Sequence, residues 1–562
     1  MSGHFAWTRL ARWLTVGLIG LPVVAGLAGV IAPAFGWLPA LGGTSLSLAP
    51  WQALARVPGL AEMIRLSAVT GLASTLLSLA GVVLLLGACL QTRVMGMVRR
   101  LLSPLLAIPH AAAAIGLAFL LAPSGLASRM MSPWLSGWQY PPDYLFPHDP
   151  GGLALILGLT IKEVPFLLLM SLAALPQCQA DARLRVARGL GYRPAAAFFK
   201  AVLPGLYPLL RLPIYAVIAF ATATVDVALI LGPSTPPPLS VMVLRWFHDP
   251  DLSLRFMASA AALTQLGVTL AALAVWRLLE AAVIRLWRGW PANGQRSAAE
   301  GLTRALGTGL PGIALALMAG SLAGLMLWSL AGYWRFPAVI PPLTLDNWRD
   351  AAGAWGAPLT RTIIIGAAAT AVSLTLVLGT LEAEERRGGR WQTALIYLPL
   401  LVPQSAFLFG LVQWQAAHGP PPGLGAVIAG HTLFVLPYVY LVLAESYRRL
   451  DPRWSHLARS LGASPGRVFR RVRLPLLAMP LMSAAAVGFA VSIGQYLPTL
   501  LLGAGRVATI TTEAVSLASG GDRRLTAVHA LLQLLLPAVG FALALGLPRL
   551  LFRHRTGLMS HS

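Results

Sequence analysis

Residues 63–89 read MIRLSAVTGLASTLLSLAGVVLLLGAC, with one charge, Arg65, near the start. An α-helix needs about 20 mostly apolar residues to cross a bilayer, and this block is longer. Residues 206–231 form another. Within hydrocarbon a backbone must satisfy its own hydrogen bonds, which leaves helices or closed barrels, and unbroken apolar blocks lack the alternation of barrel strands. The reading is an all-α polytopic membrane protein.

The rest of the chain agrees with that block. Of its 562 residues 57% are hydrophobic and only 11% charged, whereas globular domains carry about 25% charged residues. Apolar blocks near 14–34, 63–89, 101–121, 152–175, 206–231 and 256–275 predict six spans. Blocks near 310–330, 359–381, 391–414, 425–443, 480–502 and 525–545 predict six more. The expected organisation is two tandem six-helix repeats, residues 1–287 and 310–562, joined by a basic linker, residues 288–309, that contains Trp290-Pro291-Ala292-Asn293-Gly294. The first block follows Arg9 and Arg12 and exceeds a signal-peptide core in length, so it is read as a retained helix.

The formal charge of +23 would suggest nucleic acid in a soluble chain. Here 30 of the 42 Lys and Arg fall in alternate loops, the asymmetry expected of cytoplasmic loops, which predicts an even number of spans with both termini cytoplasmic. No nucleic-acid-binding motif is present. Cys89 and Cys178 fall on the predicted cytoplasmic side and are expected to be reduced thiols; the absence of a Cys/His cluster predicts no metal. No P-loop, Ser/His/Asp or zinc-protease motif occurs, so the chain is expected to be a non-catalytic subunit without a bound cofactor. The Pro- and aromatic-rich stretch 132–150 is the longest outer loop, readable as an interfacial belt or as a docking surface for a delivery protein.

The repeats match in detail. Pro109 and Gly116 recur as Pro403 and Gly410; Ser67, Gly71, Ser78 and Leu79 recur as Thr362, Gly366, Ser373 and Leu374. The strongest match follows the fourth span of each half, where VARGLGYRPAAAFFKAVLP (residues 186–204) answers LARSLGASPGRVFRRVRLP (residues 457–475). Ala187, Arg188, Leu190, Gly191, Pro194, Phe198, Leu203 and Pro204 correspond, at one constant separation, to Ala458, Arg459, Leu461, Gly462, Pro465, Phe469, Leu474 and Pro475. A short helix ending at a Gly that permits a tight turn, then an amphipathic stretch and a Leu-Pro entering the next span, makes a small helical knob that a soluble partner could hold.

This pattern resembles the coupling-loop signature of ABC importer permeases: Glu-Ala-Ala, three residues, Gly, nine residues, Ile, one residue, Leu-Pro. Gly191 and Gly462 take the Gly position, Ala187 and Ala458 the second Ala, and Leu203-Pro204 and Leu474-Pro475 the Leu-Pro. Arg185 and His456 replace the Glu, and Ala201 and Val472 the Ile. The fused halves resemble the double-length permeases of thiamine, ferric-iron and related importers, most closely in PHAAAAIGLAFLLAPSGLASR (residues 109–129) and GLTIKEVPFLLL (residues 158–169). The resemblance implies the type I importer fold, MetI-like, in a bacterial inner membrane. It also implies two copies of a separate ABC ATPase holding the ATP and Mg, and a periplasmic substrate-binding protein.

Charged residues inside spans are costly and mark sites by default. Lys162 and Glu163 lie in the fourth span and Asp226 in the fifth. Thr224, two residues before Asp226, falls opposite Gln495 of the eleventh span, which Tyr496 follows. A shared passage there would suit a small cation such as thiamine or a polyamine, whereas a Lys162–Asp226 ion pair would be structural. His110 and His431 read as interior polar groups. The competing class is a twelve-span secondary transporter, but residues 91–100 (QTRVMGMVRR) lack the Gly-x-x-x-Asp core of the major-facilitator loop.

Overall fold

The computed structural model describes residues 2–387, 391–419 and 421–551. Among them are helices and turns but no β-strand, apart from two isolated bridges, Leu38 with Gly43 and Ala331 with Leu343. Ten helices among the described residues are long and apolar enough to cross a membrane. In the first repeat these are Trp7–Ala34, Leu60–Cys89, His110–Met131, Leu153–Ala174, Pro194–Ala223 and Leu254–Ala292. Glu300–Ser329, Asp346–Arg386, Leu424–Arg448 and Arg523–Ala544 follow in the second. Pro465–Leu476 and Ala478–Ile493, bent by 75°, make an eleventh if taken as one span.

The ninth block, expected as one continuous helix, is broken among the described residues. Residues 391–418 do not form one helix but three pieces, Trp391–Ile396, Leu398–Leu401 and Gln404–His418. Proline is the cause. Pro399 opens the middle piece, and Pro403 forces Val402 into an extended conformation before the last one. Pro109 does the same in the first repeat, where Arg93–Ala107 ends at an extended Ile108 and a new helix starts at His110.

The fifth spans are also shifted and broken relative to expectation. The first starts at Pro194 and ends at Ala223, an extended Thr224 follows, and Asp226–Leu231 resumes as a separate short helix. Its counterpart runs Ala478–Ile493, breaks, and resumes as Leu497–Leu502.

Two compact units result, and they cross the repeat boundary. One comprises Met1–Gly29, Ala352–Ala514 and Leu531–Ser562; the other comprises Val30–Ala351 and Val515–Ala530. Each takes in the first span of the other repeat, and small residues permit the close approach this requires. In one unit a Cβ on Gly29 would meet the Gly410 carbonyl at 2.3 Å; in the other a Cβ on Gly116 would lie 3.0 Å from Ser321. The second and fifth spans touch through matched glycines in the same way: a Cβ on Gly71 would meet Thr222 at 2.4 Å and one on Gly366 would meet Phe489 at 2.7 Å.

Candidate coupling loops and membrane passage

Both predicted knobs form, and with the same backbone. Ala180–Gly189 and Pro452–Ser460 are short helices, each followed by a Gly in the left-handed region, Gly191 at φ +84° and Gly462 at φ +80°. Gly191 N–H donates to the Arg188 carbonyl and Tyr192 N–H to that of Ala187; Gly462 and Ala463 repeat this toward Arg459 and Ala458. This is the Schellman C-terminus, which satisfies carbonyls the helix end would leave unpaired and puts a positive φ on one residue, where a Cβ is costly. Four-residue helices then start at Pro194 and Pro465, and each leads into a π-helical turn, Phe198–Val202 and Phe469–Arg473. Leu203-Pro204 and Leu474-Pro475 follow directly. Pro204 and Pro475 have no N–H for the usual ladder, and a widened turn is one way a helix accommodates that gap.

The knobs leave apolar side chains in the open. Val186 and Leu190 on the first, and Trp454, Leu457 and Leu461 on the second, are exposed, as are Arg188 and Arg459. A groove of about 450 Å³ beside the first is lined in part by Arg183, Val186, Leu190, Tyr192 and Lys200. The buried Cys178 precedes this knob, and burial pushes its thiol up.

The two knobs are anchored by different physics. The first rests on an apolar core in which Phe198, Val202 and Leu206 pack with Leu85, Leu86 and Leu184. The second is held by charge. Buried Arg473, in its π turn, donates to Glu382 at 2.6 Å and to Glu385 at 2.5 and 2.6 Å, and its Nε donates to Ser455 on the knob helix at 3.1 Å. Tyr447 also donates to Glu382. Asp451 caps this knob by accepting from Arg453 N–H, a cap the first knob lacks.

The intramembrane candidates separate into those bonded to interior backbone or side-chain partners and those beside the breaks of the fifth spans. Lys162 is buried, and its Nζ donates to the carbonyls of Ile108 at 2.5 Å and Leu105 at 3.3 Å. These belong to the helix end that Pro109 interrupts, so Lys162 is a cap delivered from the fourth span. Among the described residues no ion pair joins it to Asp226, so the alternative of a structural Lys162–Asp226 pair is not formed, and the Nζ caps the helix end instead. Glu163 is buried with one oxygen 3.4 Å from half-exposed His110. Thr224 donates to the half-buried Asp226 at 3.1 Å. Half-buried Gln495 and Tyr496 sit at the equivalent break of the second repeat. His431 is a fully interior group, its ring nitrogens bonded to Ser492 at 2.7 Å and Thr499 at 2.8 Å. Among the described residues there is no cluster of three or more His, Cys, Asp or Glu side chains able to hold a metal.

What holds the breaks open was not visible in sequence. Ser240 donates to the Thr224 carbonyl at 2.8 Å and Gln265 to that of Thr222 at 3.0 Å. In the second repeat Thr511 donates to the Ile493 carbonyl, and Gln533 donates to Thr511 at 2.9 Å. Ser67 and Thr362, noted only as a repeat match, each accept a backbone N–H, from Leu239 and Ile510, at 3.0 Å. Stretch 132–150 tucks His148 against the Gly232 carbonyl at 2.7 Å and leaves Trp134, Leu135 and Tyr140 exposed.

Twin knobs on an all-helical polytopic chain define the class: a transport subunit of an ABC system embedded in the inner membrane. The chain belongs to the inner-membrane ABC transporter permeases. It is 32% identical over 539 residues to the inner membrane ABC transporter permease protein YnjC of Escherichia coli K12, covering 94% of each chain. Residues 371–552 match the family described as binding-protein-dependent transport system inner membrane component. PhnV of Salmonella typhimurium, provisionally named a 2-aminoethylphosphonate transport permease, is 27% identical over 238 residues, 41% of this chain and 87% of its own. A PotC homolog of Mycoplasma genitalium, named for spermidine/putrescine transport, is 29% identical over 170 residues, 29% of this chain and 60% of its own. The secondary-transporter reading is thereby set aside, and the chain is a non-catalytic, multi-pass subunit.

The capping role of Lys162 has a measurable consequence. Lys162→Met keeps the bulk but strands two buried carbonyls, at a cost of about 1–3 kcal/mol, and purified protein should unfold at a lower temperature. Unchanged thermal stability together with lost transport would instead place Lys162 in the passage.

Proposed function

We propose that this chain is the translocating subunit of an importer, with one copy of a separate ATPase docking on each knob. The observation that carries this reading is the duplicated knob: the same Schellman turn, Pro-initiated helix and π turn recur with apolar side chains exposed. Ala187, Arg188, Gly191, Leu203 and Pro204 form the first docking element, and Ala458, Arg459, Gly462, Leu474 and Pro475 the second. ATP and Mg belong to the ATPase. A periplasmic binding protein delivers the solute, and both termini are cytoplasmic, a reading the excess of Lys and Arg in alternate loops supports. The repeats remain residues 1–287 and 310–562 with the linker 288–309, even though the compact units exchange first spans.

The passage runs past the broken fifth spans, at Thr224 and Asp226 in one repeat and at Gln495 and Tyr496 in the other, with Glu163 nearby and Lys162 fixing its edge. Non-helical backbone at membrane depth is tolerated where it is buried in protein or lines a cavity, and interrupted spans mark binding sites in other transporters. Two carboxylates in the first repeat favour a small cation, thiamine-like or a polyamine. In support, one relative is named for spermidine/putrescine transport.

Asp226→Asn should leave the assembled complex intact and lower uptake of a cationic substrate roughly tenfold or more, the loss expected for one hydrogen bond to a charged group. Normal uptake would remove Asp226 from the passage. The docking reading is tested at the two glycines. Val at a positive φ is strained and β-branched, and Cβ would also approach Arg296 at 3.2 Å for Gly191 but meets nothing within 4 Å for Gly462. Gly191→Val and Gly462→Val should each insert normally yet retain less ATPase on co-purification, and the double variant should retain least. Full ATPase recovery and wild-type transport in the double variant would overturn the reading.

A further inference from the structure

The linker between the repeats is folded onto the first knob. Arg193 N–H donates to the Arg296 carbonyl at 2.8 Å, and the Arg296 guanidinium lies over Gly191. Lys200, in the π turn, donates to Asn293 Oδ1 at 2.8 Å and to the Gln295 carbonyl at 2.7 Å, with its ammonium 4.6 Å from the centre of the Trp290 ring. Glu300 then accepts from the N–H groups of Ala195 and Ala196, both at 3.2 Å. A carboxylate there satisfies two donors that the start of the Pro194–Ala223 span would leave unpaired, and it lies at the favourable end of the helix dipole.

Glu300 is also the first residue of the span Glu300–Ser329. One side chain thus ties the start of the fifth span, at the knob, to the start of the seventh, the first span of the second repeat. A simple tether would need none of these contacts. The second knob, held by Arg473, Glu382 and Glu385, has its anchor on the eighth span.

We infer that Glu300 is a positioning residue that makes the first knob and the start of the seventh span move as one body, so that force applied by an ATPase at the first knob is also felt by the first span of the second repeat. The inference rests on the docking reading, but its contacts are measurable without an ATPase. Glu300→Ala should speed amide exchange at Ala195 and Ala196 about fivefold to tenfold, the effect of losing an N-cap, and Glu300→Gln, which keeps one acceptor oxygen, should fall between. In the purified complex with its ATPase, spin labels at the exposed Asp181, at the start of the knob helix, and Leu306 should keep one separation with and without ATP and vanadate. Glu300→Ala should make that separation nucleotide-dependent. Unchanged exchange in Glu300→Ala, or an Asp181–Leu306 separation that already shifts with nucleotide in the unmodified chain, would overturn the inference. Failure of any ATPase to bind the unmodified chain would sink the docking reading while the exchange result stood by itself.

Discussion

A helix broken inside hydrocarbon leaves carbonyls and N–H groups that no water can satisfy, so a membrane protein can bend its spans only where other side chains supply partners. That constraint governs this chain. Ser240 and Gln265 serve the break after Ala223, and Thr511 with Gln533 serves the one after Ile493. Lys162 serves the helix end before Pro109. Each donor comes from a different helix or loop than the break it serves, so the breaks also hold spans together.

The same reasoning accounts for the knobs. Each helix end is closed by a Gly at positive φ, and each re-entry into the next span passes through a π turn ahead of a Pro. The backbone is thus duplicated while the anchors are not. An apolar core and the linker hold the first knob, and a buried arginine between two glutamates holds the second. Buried ion pairs of this kind are weak evidence for stability, because desolvation offsets much of the attraction, but they fix geometry.

How much of this could be read in advance depended on whether the signal was local. Gly191 and Gly462 were legible because a helix that must stop and turn asks for a positive φ, and the repeat supplied the register. The breaks in the ninth span were not legible because composition does not register Pro399 and Pro403 as breaks when the residues around them stay apolar. Lys162 was visible as a buried charge, yet its partners are backbone carbonyls more than 50 positions away, which a search for charged partners cannot find. Gln265, Gln533 and Glu300 carry no local signal, because their partners too are distant backbone groups or a hydroxyl. The exchange of first spans follows from close packing at Gly29 and Gly116, which a repeat count does not register.

The central claim is that two knobs on one chain meet an ATPase from the cytosolic side, and cross-linking tests it most directly. With Cys89 and Cys178 replaced, Leu190→Cys and Leu461→Cys place single thiols on the exposed tips of the two knobs. Each should cross-link to a cysteine on the ATPase, and the doubly substituted chain should capture two copies, which also assigns both loops to the cytoplasm. Cross-linking from neither position in an active complex would contradict the account.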